Sequence, residues 1–404
     1  MRRAMRSIST LTLTLLLVIP AALSHAQAAA PAQPLRQKAL ALEQKGDNAA
    51  AEAVWRLYLK THPSSPEPYA HLGVLEARQE HYSVAIPLYR KALQLGPPIP
   101  ALRLNLGLAL FKNNQFRPAI QEFEPLLASQ PDNRQLTTLI GLAHFKLAEY
   151  ALAVPYLQKA TALDPENLPL RLTLAHCCLW SGKNQCVLDV YHQILQLNAE
   201  SAEADMLAGE ALDEMKDRNG AIEQFRAALK VDPKMPDAHF SLGYLLWTLK
   251  QTEEAARELQ TELDNNPDHA SAMTYLADID LQLGRNDAAL PLLEKATKLD
   301  PSIALAHLDL GILYAGADRQ DEGLREMKEA ERLDSGDVNV HWRLGRLYRS
   351  MGKSDEAKAE FAKASQITKA TDQSLLDQID KGKARQAPAP PPVDATPAVD
   401  PSAK

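Results

Sequence analysis

Residues 100–133 read PALRLNLGLALFKNNQFRPAIQEFEPLLASQPDN, and residues 134–167 read RQLTTLIGLAHFKLAEYALAVPYLQKATALDPEN. Laid one above the other, they place Gly107 over Gly141, Ala119 over Ala153, Phe123 over Leu157 and Pro131 over Pro165. The offset is 34 residues, and it continues in both directions. Framed from Ala32, ten windows follow without an insertion. The eighth place is always Gly or Ala, from Ala39 and Gly73 through Gly209 and Gly243 to Gly345, and it takes seven of the chain's 17 glycines. The twentieth place is Ala except for Val187 and Gly323. The twenty-fourth is large throughout, from Trp55 and Tyr89 to Met327 and Phe361. The thirty-second is Pro in seven windows.

Each column has a physical task. Small residues at places eight and twenty let two antiparallel helices approach closely, and the large residue at place twenty-four fills the adjoining space. Leu102, Leu106 and Leu110 recur every four positions, so they share one helical face that needs a cover. Gly46, Gly182, Gly284 and Gly352 suit the left-handed residue that ends a first helix. The proline in Asp164-Pro165, Asp232-Pro233 and Asp300-Pro301 stops the second helix just before it. Each window is therefore a helical hairpin.

Composition agrees. The 404 residues are 46% hydrophobic and 24% charged, enough to bury a core and unlike a disordered chain. Aromatics are only 5%, and an Ala- and Leu-rich chain of this kind favours close-packed helices over a sandwich or barrel, so the fold class is all-α. A net charge of −7 with acids spread along the chain leaves no footprint for nucleic acid. Three cysteines exclude a scaffold built on disulfides.

With period, residue types and tenfold recurrence in place, the chain resembles a tetratricopeptide repeat (TPR) array over residues 27–369. The resemblance implies a right-handed superhelical solenoid whose hairpins touch only their neighbours, with first helices lining the inner surface. Departures are Ala175, Val187 and Ala199 in the fifth window, which predict less regular packing there, and the missing closing proline in the last two. The family's tryptophan at place four is also absent, with Arg103, Arg171 and Asp205 among its replacements.

In this family the groove-facing places are the second, fifth, ninth, twelfth and thirteenth. Windows three to five supply Leu104, Leu108, Phe111, Leu142, Phe145, Leu172, Leu179 and Trp180, an apolar lane. Window six adds Glu203, Glu210, Asp213 and Glu214 on the same side. Window seven follows with Asp237, Phe240, Tyr244 and Trp247, and window ten offers Trp342, Arg346 and Arg349. Such a groove suits a protein or peptide partner bearing apolar and basic residues. The competing reading for Leu104 and Leu108 is packing between adjacent first helices in a tightly curved array. The lysine and asparagine clamp by which one branch of the family grips a C-terminal carboxylate is not present, since the ninth place holds Leu40, Val74, Leu108, Leu142, His176 and Glu210. An acidic centre would repel a carboxylate terminus.

The ends differ from the array. Arg2, Arg3 and Arg6 precede an apolar run from Leu11 to Leu23, and Ser24, His25 and Ala26 follow. Residues 1–26 read as a secretory signal cleaved before Gln27, placing the protein in the periplasm or outside the cell. The alternative, an uncleaved anchor, is opposed by the shortness of the run against the roughly 20 residues a bilayer needs, so no membrane span is expected after cleavage. Removal of its three arginines takes the charge from −7 to −10. Residues 370–386, with Leu375, Leu376 and Ile379 on one face, predict a capping helix. Residues 387–404 read as a Pro- and Ala-rich flexible tail, with a polyproline ligand at Pro388 to Pro392 as the competing reading.

Chemistry-bearing residues are sparse. His176, Cys177, Cys178, Cys186 and His192 share window five, but neighbouring Cys177 and Cys178 point about 100° apart on a helix and cannot both face one ion. A disulfide from Cys177 or Cys178 to Cys186 across the hairpin is the alternative to a metal site. His239, His307 and His341 share place four in different windows and read as packing residues, as does His144. Carboxylate pairs such as Glu253 with Glu254 are solvated faces. There is no phosphate loop, nucleophile elbow or His-Glu-x-x-His, and 33 residues beyond the tenth window leave no room for a catalytic domain. The expectation is a non-enzymatic protein interaction scaffold of the bacterial envelope without a cofactor. The alternatives are an accessory of envelope assembly or polysaccharide export, and a carbohydrate or metal binder.

Overall fold

The structure is a computed structural model and describes residues 32–97, 99–197 and 200–386. The signal at 1–26, the tail at 387–404 and Ala199 lie outside the described residues. Among these residues all regular structure is α-helical, in twenty helices. They pair as α1 (Ala32–Gln44) with α2 (Asn48–Thr61), α3 (Pro66–Arg78) with α4 (Tyr82–Leu95), α5 (Pro100–Lys112) with α6 (Phe116–Ser129), and α7 (Arg134–Lys146) with α8 (Tyr150–Leu163). Next come α9 (Leu168–Trp180) with α10 (Asn184–Gln196) and α11 (Ala202–Glu214) with α12 (Arg218–Val231). The remaining pairs are α13 (Ala238–Thr248) with α14 (Thr252–Asn265), α15 (Ala270–Gln282) with α16 (Asn286–Leu299), α17 (Ala304–Gly316) with α18 (Gln320–Leu333), and α19 (Val338–Ser350) with α20 (Ser354–Gln386). Every second helix starts 34 residues after the previous one, from Asn48 to Ser354. The fold is that of a TPR solenoid.

The packing follows the columns. A Cβ on Gly107 would lie within 2.8 Å of Cδ1 of Phe123, and one on Gly209 within 2.7 Å of Cδ1 of Phe225. Gly73 faces Tyr89, Gly141 faces Leu157 and Gly345 faces Phe361 in the same way. The large ring at place twenty-four thus lies directly on the bare backbone at place eight, and Tyr89, Phe123 and Leu157 are fully buried. In window five place eight carries a methyl, and Ala175 is buried while Tyr191 at place twenty-four is half-buried. Its hydroxyl, pushed up to about 12 by burial and then by the charge of Asp205, is hydrogen-bonded to that acid.

Every first helix ends on a left-handed residue. Gly46, Gly182, Gly284 and Gly352 take φ between 69° and 76°, as their type predicts. Glu80, Asn114, Ala148, Lys216, Lys250 and Asp318 take the same conformation in the other windows at φ 56° to 68°. The closing bonds explain why. Gln115 N donates to Leu110 O at 2.8 Å and Asn114 N to Phe111 O at 3.1 Å, satisfying carbonyls that the helix end would leave bare. The second helices stop where expected, before Asp164, Asp232 and Asp300. In two of these turns the aspartate accepts from a backbone N–H two residues on, Lys234 at 2.9 Å and Ser302 at 3.0 Å.

The chain divides into two compact units, Met1–Ala238 and His239–Lys404. In the first, consecutive cores join α1 through α11, with Trp55, Phe123 and Leu174 among their centres, and α12 packs on α11. In the second, a core around Leu308, Met327 and Leu344 joins α17 to α20. First helices also touch the next first helix, as α3 does α5, α9 does α11, α15 does α17 and α17 does α19. One expectation is corrected. Residues 370–386 are not a separate capping helix but the continuation of α20, which runs unbroken from Ser354 to Gln386. No glycine or proline occurs in that stretch before Gly382 to end it. Its described side chains beyond Ile367, Leu376 among them, are exposed.

Candidate functional site

The candidate groove residues fall on first helices, so their placement is a question of how much surface the neighbouring first helices leave. In the first unit, less is left than the lane requires. Leu108 is 1% exposed and Phe145 5%, and both belong to the core, which corrects their assignment as partner contacts. The physical reason is the closure of first helix on first helix, which covers a side chain on the inner side as fully as one beneath it. Leu104, Phe111, Leu142, Leu172 and Leu179 are half-buried edges of the same cores. Phe111 packs edge-on against Phe116 at 5.3 Å. Trp180 alone of the lane stands clear, 41% exposed. Its ring is stacked 6.1 Å from Phe145 and lies tilted 4.8 Å from Tyr150 and 4.9 Å from His176.

The acids of window six adjoin this ring. His176 Nε2 pairs with Glu203 at 2.8 Å. Glu210 is half-buried, and its carboxyl is held above the ordinary range, first by desolvation and then by Asp237 and Glu214, against the pull of His176. Asp213 is half-buried and Glu214 exposed. His176 thus connects the Trp180 ring on α9 to Glu203 and Glu210 on α11.

In the second unit, Phe240, Tyr244 and Trp247 sit at i, i+4 and i+7 on α13 and are all half-buried. Phe240 and Tyr244 stack at 6.3 Å, and Tyr244 and Trp247 at 6.0 Å. Tyr275 on α15 closes the cluster, 5.1 Å from Tyr244 and 4.8 Å from Trp247. Burial pushes its hydroxyl up to about 12, with smaller contributions from Tyr244 and Asp278. Trp247 Nε1 donates to Asp278 Oδ2 at 2.6 Å, and Gln282 Nε2 donates to the same oxygen at 2.6 Å. Lys250 lies over the Trp247 ring at 5.3 Å. Further along, Trp342 is 51% exposed and meets Phe361 at 4.9 Å, with Arg346 and Arg349 exposed beside it.

Tyr150, Tyr275 and Asp278 were not among the expected site residues. Asp278 occupies the ninth place, so reading window eight as the others were read finds it. Tyr275 occupies the sixth place, which the family pattern does not assign to the groove.

The histidines of place four are packed, and each is also bonded. His239, His307 and His341 each meet the glutamate nineteen residues on, Glu258 at 2.6 Å, Glu326 at 2.7 Å and Glu360 at 2.7 Å, which ties first helix to second. His144 meets Glu149 at 2.8 Å. Glu331, His341 and Glu360 lie close enough together to hold a cation. Lys363 Nζ already fills that role, 2.8 Å from Glu331 and 3.0 Å from Glu360. In window five Cys178 and Cys186 are joined as a disulfide with Cα atoms 5.8 Å apart. Cys177 remains a buried thiol that desolvation pushes up to about 12, a poor metal ligand. No described helix is long and apolar enough to cross a membrane.

Sequence models described as tetratricopeptide repeat match residues 36–99, 104–167, 206–270 and 274–338, a second one matches 145–210 and a third 338–371. No curated protein matches the chain. Among solved structures, MamA from Desulfovibrio magneticus RS-1 is 21% identical over 43% of this chain and 99% of its own, at a TM-score of 0.37. YrrB, described as a TPR protein with an unusual peptide-binding site, is 19% identical over 46% of this chain and 97% of its own, at a TM-score of 0.38. The Naa15/Naa10 complex bound to HypK-THB contains a chain 16% identical over 82% of this one and 63% of its own, at a TM-score of 0.42.

Proposed function

We propose a function from one premise: the chain belongs to the tetratricopeptide repeat family. TPR folds are protein interaction scaffolds, and the proposal is a non-enzymatic one that holds a peptide or protein partner on the faces of its first helices. The observation that carries it is the cluster of Phe240, Tyr244, Trp247 and Tyr275. Four rings remain half-accessible on two adjacent first helices, in a molecule that buries rings such as Trp55, Tyr89 and Phe123 completely. Accessible aromatic rings of this kind are the usual anchors of an interface. The exposed ring of Trp180 beside the half-buried Tyr150 provides a second such surface in the first unit.

The partner's chemistry follows from what surrounds the rings. Glu203 and Glu210 lie beside His176, which packs on Trp180, Asp213 and Glu214 follow on the same helix as these acids, and Asp278 accepts from Trp247, so a partner with apolar and basic residues is favoured and an acidic one repelled. Export to the periplasm or beyond is part of the same proposal. It rests on the arginines and apolar run of residues 1–26 and is supported by the paired Cys178 and Cys186, which suit an oxidising compartment.

The test is affinity capture from the native envelope with the full-length protein and its Phe240→Ala/Tyr244→Ala/Trp247→Ala variant, with intact mass measured on both. Capture of a defined partner by the wild type, lost at least tenfold in a variant that keeps its helicity, is the expected outcome. Equal capture by the two removes the aromatic face from the proposal. A mature mass that does not begin at Gln27 removes the export signal.

A further inference from the structure

Two first helices carry charge of one sign only, and the signs are opposite. α11 holds Glu203, Asp205, Glu210, Asp213 and Glu214 with no lysine or arginine, and α19 holds Arg343, Arg346 and Arg349 with no aspartate or glutamate. The other first helices either mix the two signs or carry no more than two charges. Helical spacing aligns each set. Glu203, Glu210 and Glu214 recur along one face of α11, and Trp342, Arg346 and Arg349 along one face of α19. All three residues of the α19 face are exposed, Trp342 to 51%. Among the described residues neither Arg346 nor Arg349 has an ion-pair partner; Arg349 lies over the ring of Phe361 at 5.8 Å, and Trp342 meets the same ring at 4.9 Å. Phe361 stands at place twenty-four, where Tyr89, Phe123 and Leu157 are fully buried, yet it is half-buried, in the last described hairpin.

Resting on the reading of α9 and α11 as a partner surface, we infer that this surface receives α19 of a second copy of the chain. Complementarity selects that occupant. Trp180, 41% exposed on α9, lies 4.9 Å from His176, which pairs with Glu203 of α11 at 2.8 Å. Such a surface calls for an apolar group flanked by cations. α19 presents that combination, an exposed tryptophan with Arg346 one turn and Arg349 two turns further along the same face. A guanidinium pairs with carboxylates through two parallel N–H donors and also stacks on aromatic faces, so these arginines find partners both in the acids and in the Trp180 ring. Pairing like with like fails, because α19 on α19 sets arginine against arginine and α11 on α11 sets acid against acid. The contact joins unlike surfaces, so each copy keeps one of each for a further copy unless two copies engage reciprocally.

Sedimentation velocity of the full-length protein at tens of micromolar tests this in about 0.1 M and about 1 M salt, between which the screening length falls from about 10 Å to about 3 Å. The wild type is expected above the monomer mass in the lower salt, with association at least tenfold weaker in the higher. Arg346→Glu/Arg349→Glu and Glu203→Arg/Glu214→Arg are each expected to stay monomeric, since like charges then face one another. An equimolar mixture of these two variants regains the associated mass. Trp342→Ala, at an exposed side chain, weakens association at least tenfold with helicity unchanged. A wild type monomeric in the lower salt, association that either reversed variant retains, a mixture of folded variants that stays monomeric, or equal association by Trp342→Ala overturns the inference. A monomeric wild type overturns this inference alone, because envelope capture that is lost in Glu203→Arg/Glu214→Arg still assigns the α9 and α11 surface to another protein.

Discussion

At Gly107 the side chain is missing because another one occupies its place. The nearest atoms to an added Cβ are Cε1, Cδ1 and Cζ of Phe123, with Cδ1 at 2.8 Å, and Phe123 is fully buried and has no room to retreat. Overpacking of this kind costs up to about 3 kcal/mol, and the better helix propensity of alanine returns about 1, so Gly107→Ala should lose about 2 kcal/mol. The chain contains its own control. Ala277 faces Leu293 in window eight, and both are fully buried, so a methyl at place eight is compatible with a branched aliphatic at place twenty-four. Introducing Gly107→Ala into a Phe123→Leu background should therefore cost little or nothing. A denaturant double-mutant cycle reads the coupling, about 2 kcal/mol by this account, and an additive cycle would refute it.

Between helices, ions as well as rings hold the repeat together. Lys159 Nζ donates to Pro131 O at 2.7 Å and Lys295 Nζ to Pro267 O at 2.7 Å, the same bond four repeats apart, tying a second helix to the turn of the repeat before it. The link from His341 to Glu360 ties the two helices of the last repeat. Burial alone would raise the Glu360 carboxyl, but hydrogen bonds from His341 and Lys363 outweigh it and hold the carboxyl below its ordinary value. A carboxylate lowered in the folded state adds stability that is fully present above its unfolded value of about 4.3 and is lost as pH falls through the lower folded value. Glu360→Gln should accordingly lower the thermal midpoint at neutral pH, with the gap from wild type closing as the solution is acidified below about pH 4. A gap that stays constant with pH would mean that Glu360 contributes packing alone.

The same scale shows what the sequence made legible. Helix boundaries and the pairing of a small residue with a large one, as Gly107 with Phe123, recur in all ten windows, and repetition separates them from chance. Ala148 in a left-handed conformation was not legible, because the residue type disfavours it. The closing hydrogen bonds of the repeat, such as Glu149 N to His144 O at 2.9 Å, impose it regardless. Of the candidate site, the ring cluster on α13 was visible in the spacing of Phe240, Tyr244 and Trp247. Leu108 and Leu104 look alike in sequence, and only the distance between neighbouring first helices decides that one is buried and the other half-exposed. Tyr275 lay outside the groove places altogether.

At the scale of the whole molecule, the absence of a shared centre determines how damage spreads. Within the first unit each hairpin packs on the next, α4 against α5, α6 against α7, α8 against α9 and α10 against α11, so stability is close to a sum of repeat terms and nearest-neighbour terms. Phe123→Ala removes the ring that joins α5 to α6 and should cost about 4 kcal/mol. In a globular core that loss would lower protection everywhere. Here hydrogen exchange should rise in α5 and α6 and, less strongly, in α3, α4, α7 and α8, while α11 and α12, two repeats beyond α8, keep wild-type protection. Uniform loss of protection from α1 to α12 would show that the unit opens in one cooperative step and that the nearest-neighbour description fails. Gradation with distance from α6 would also explain how a scaffold of this kind can alter one docking surface by mutation without losing another.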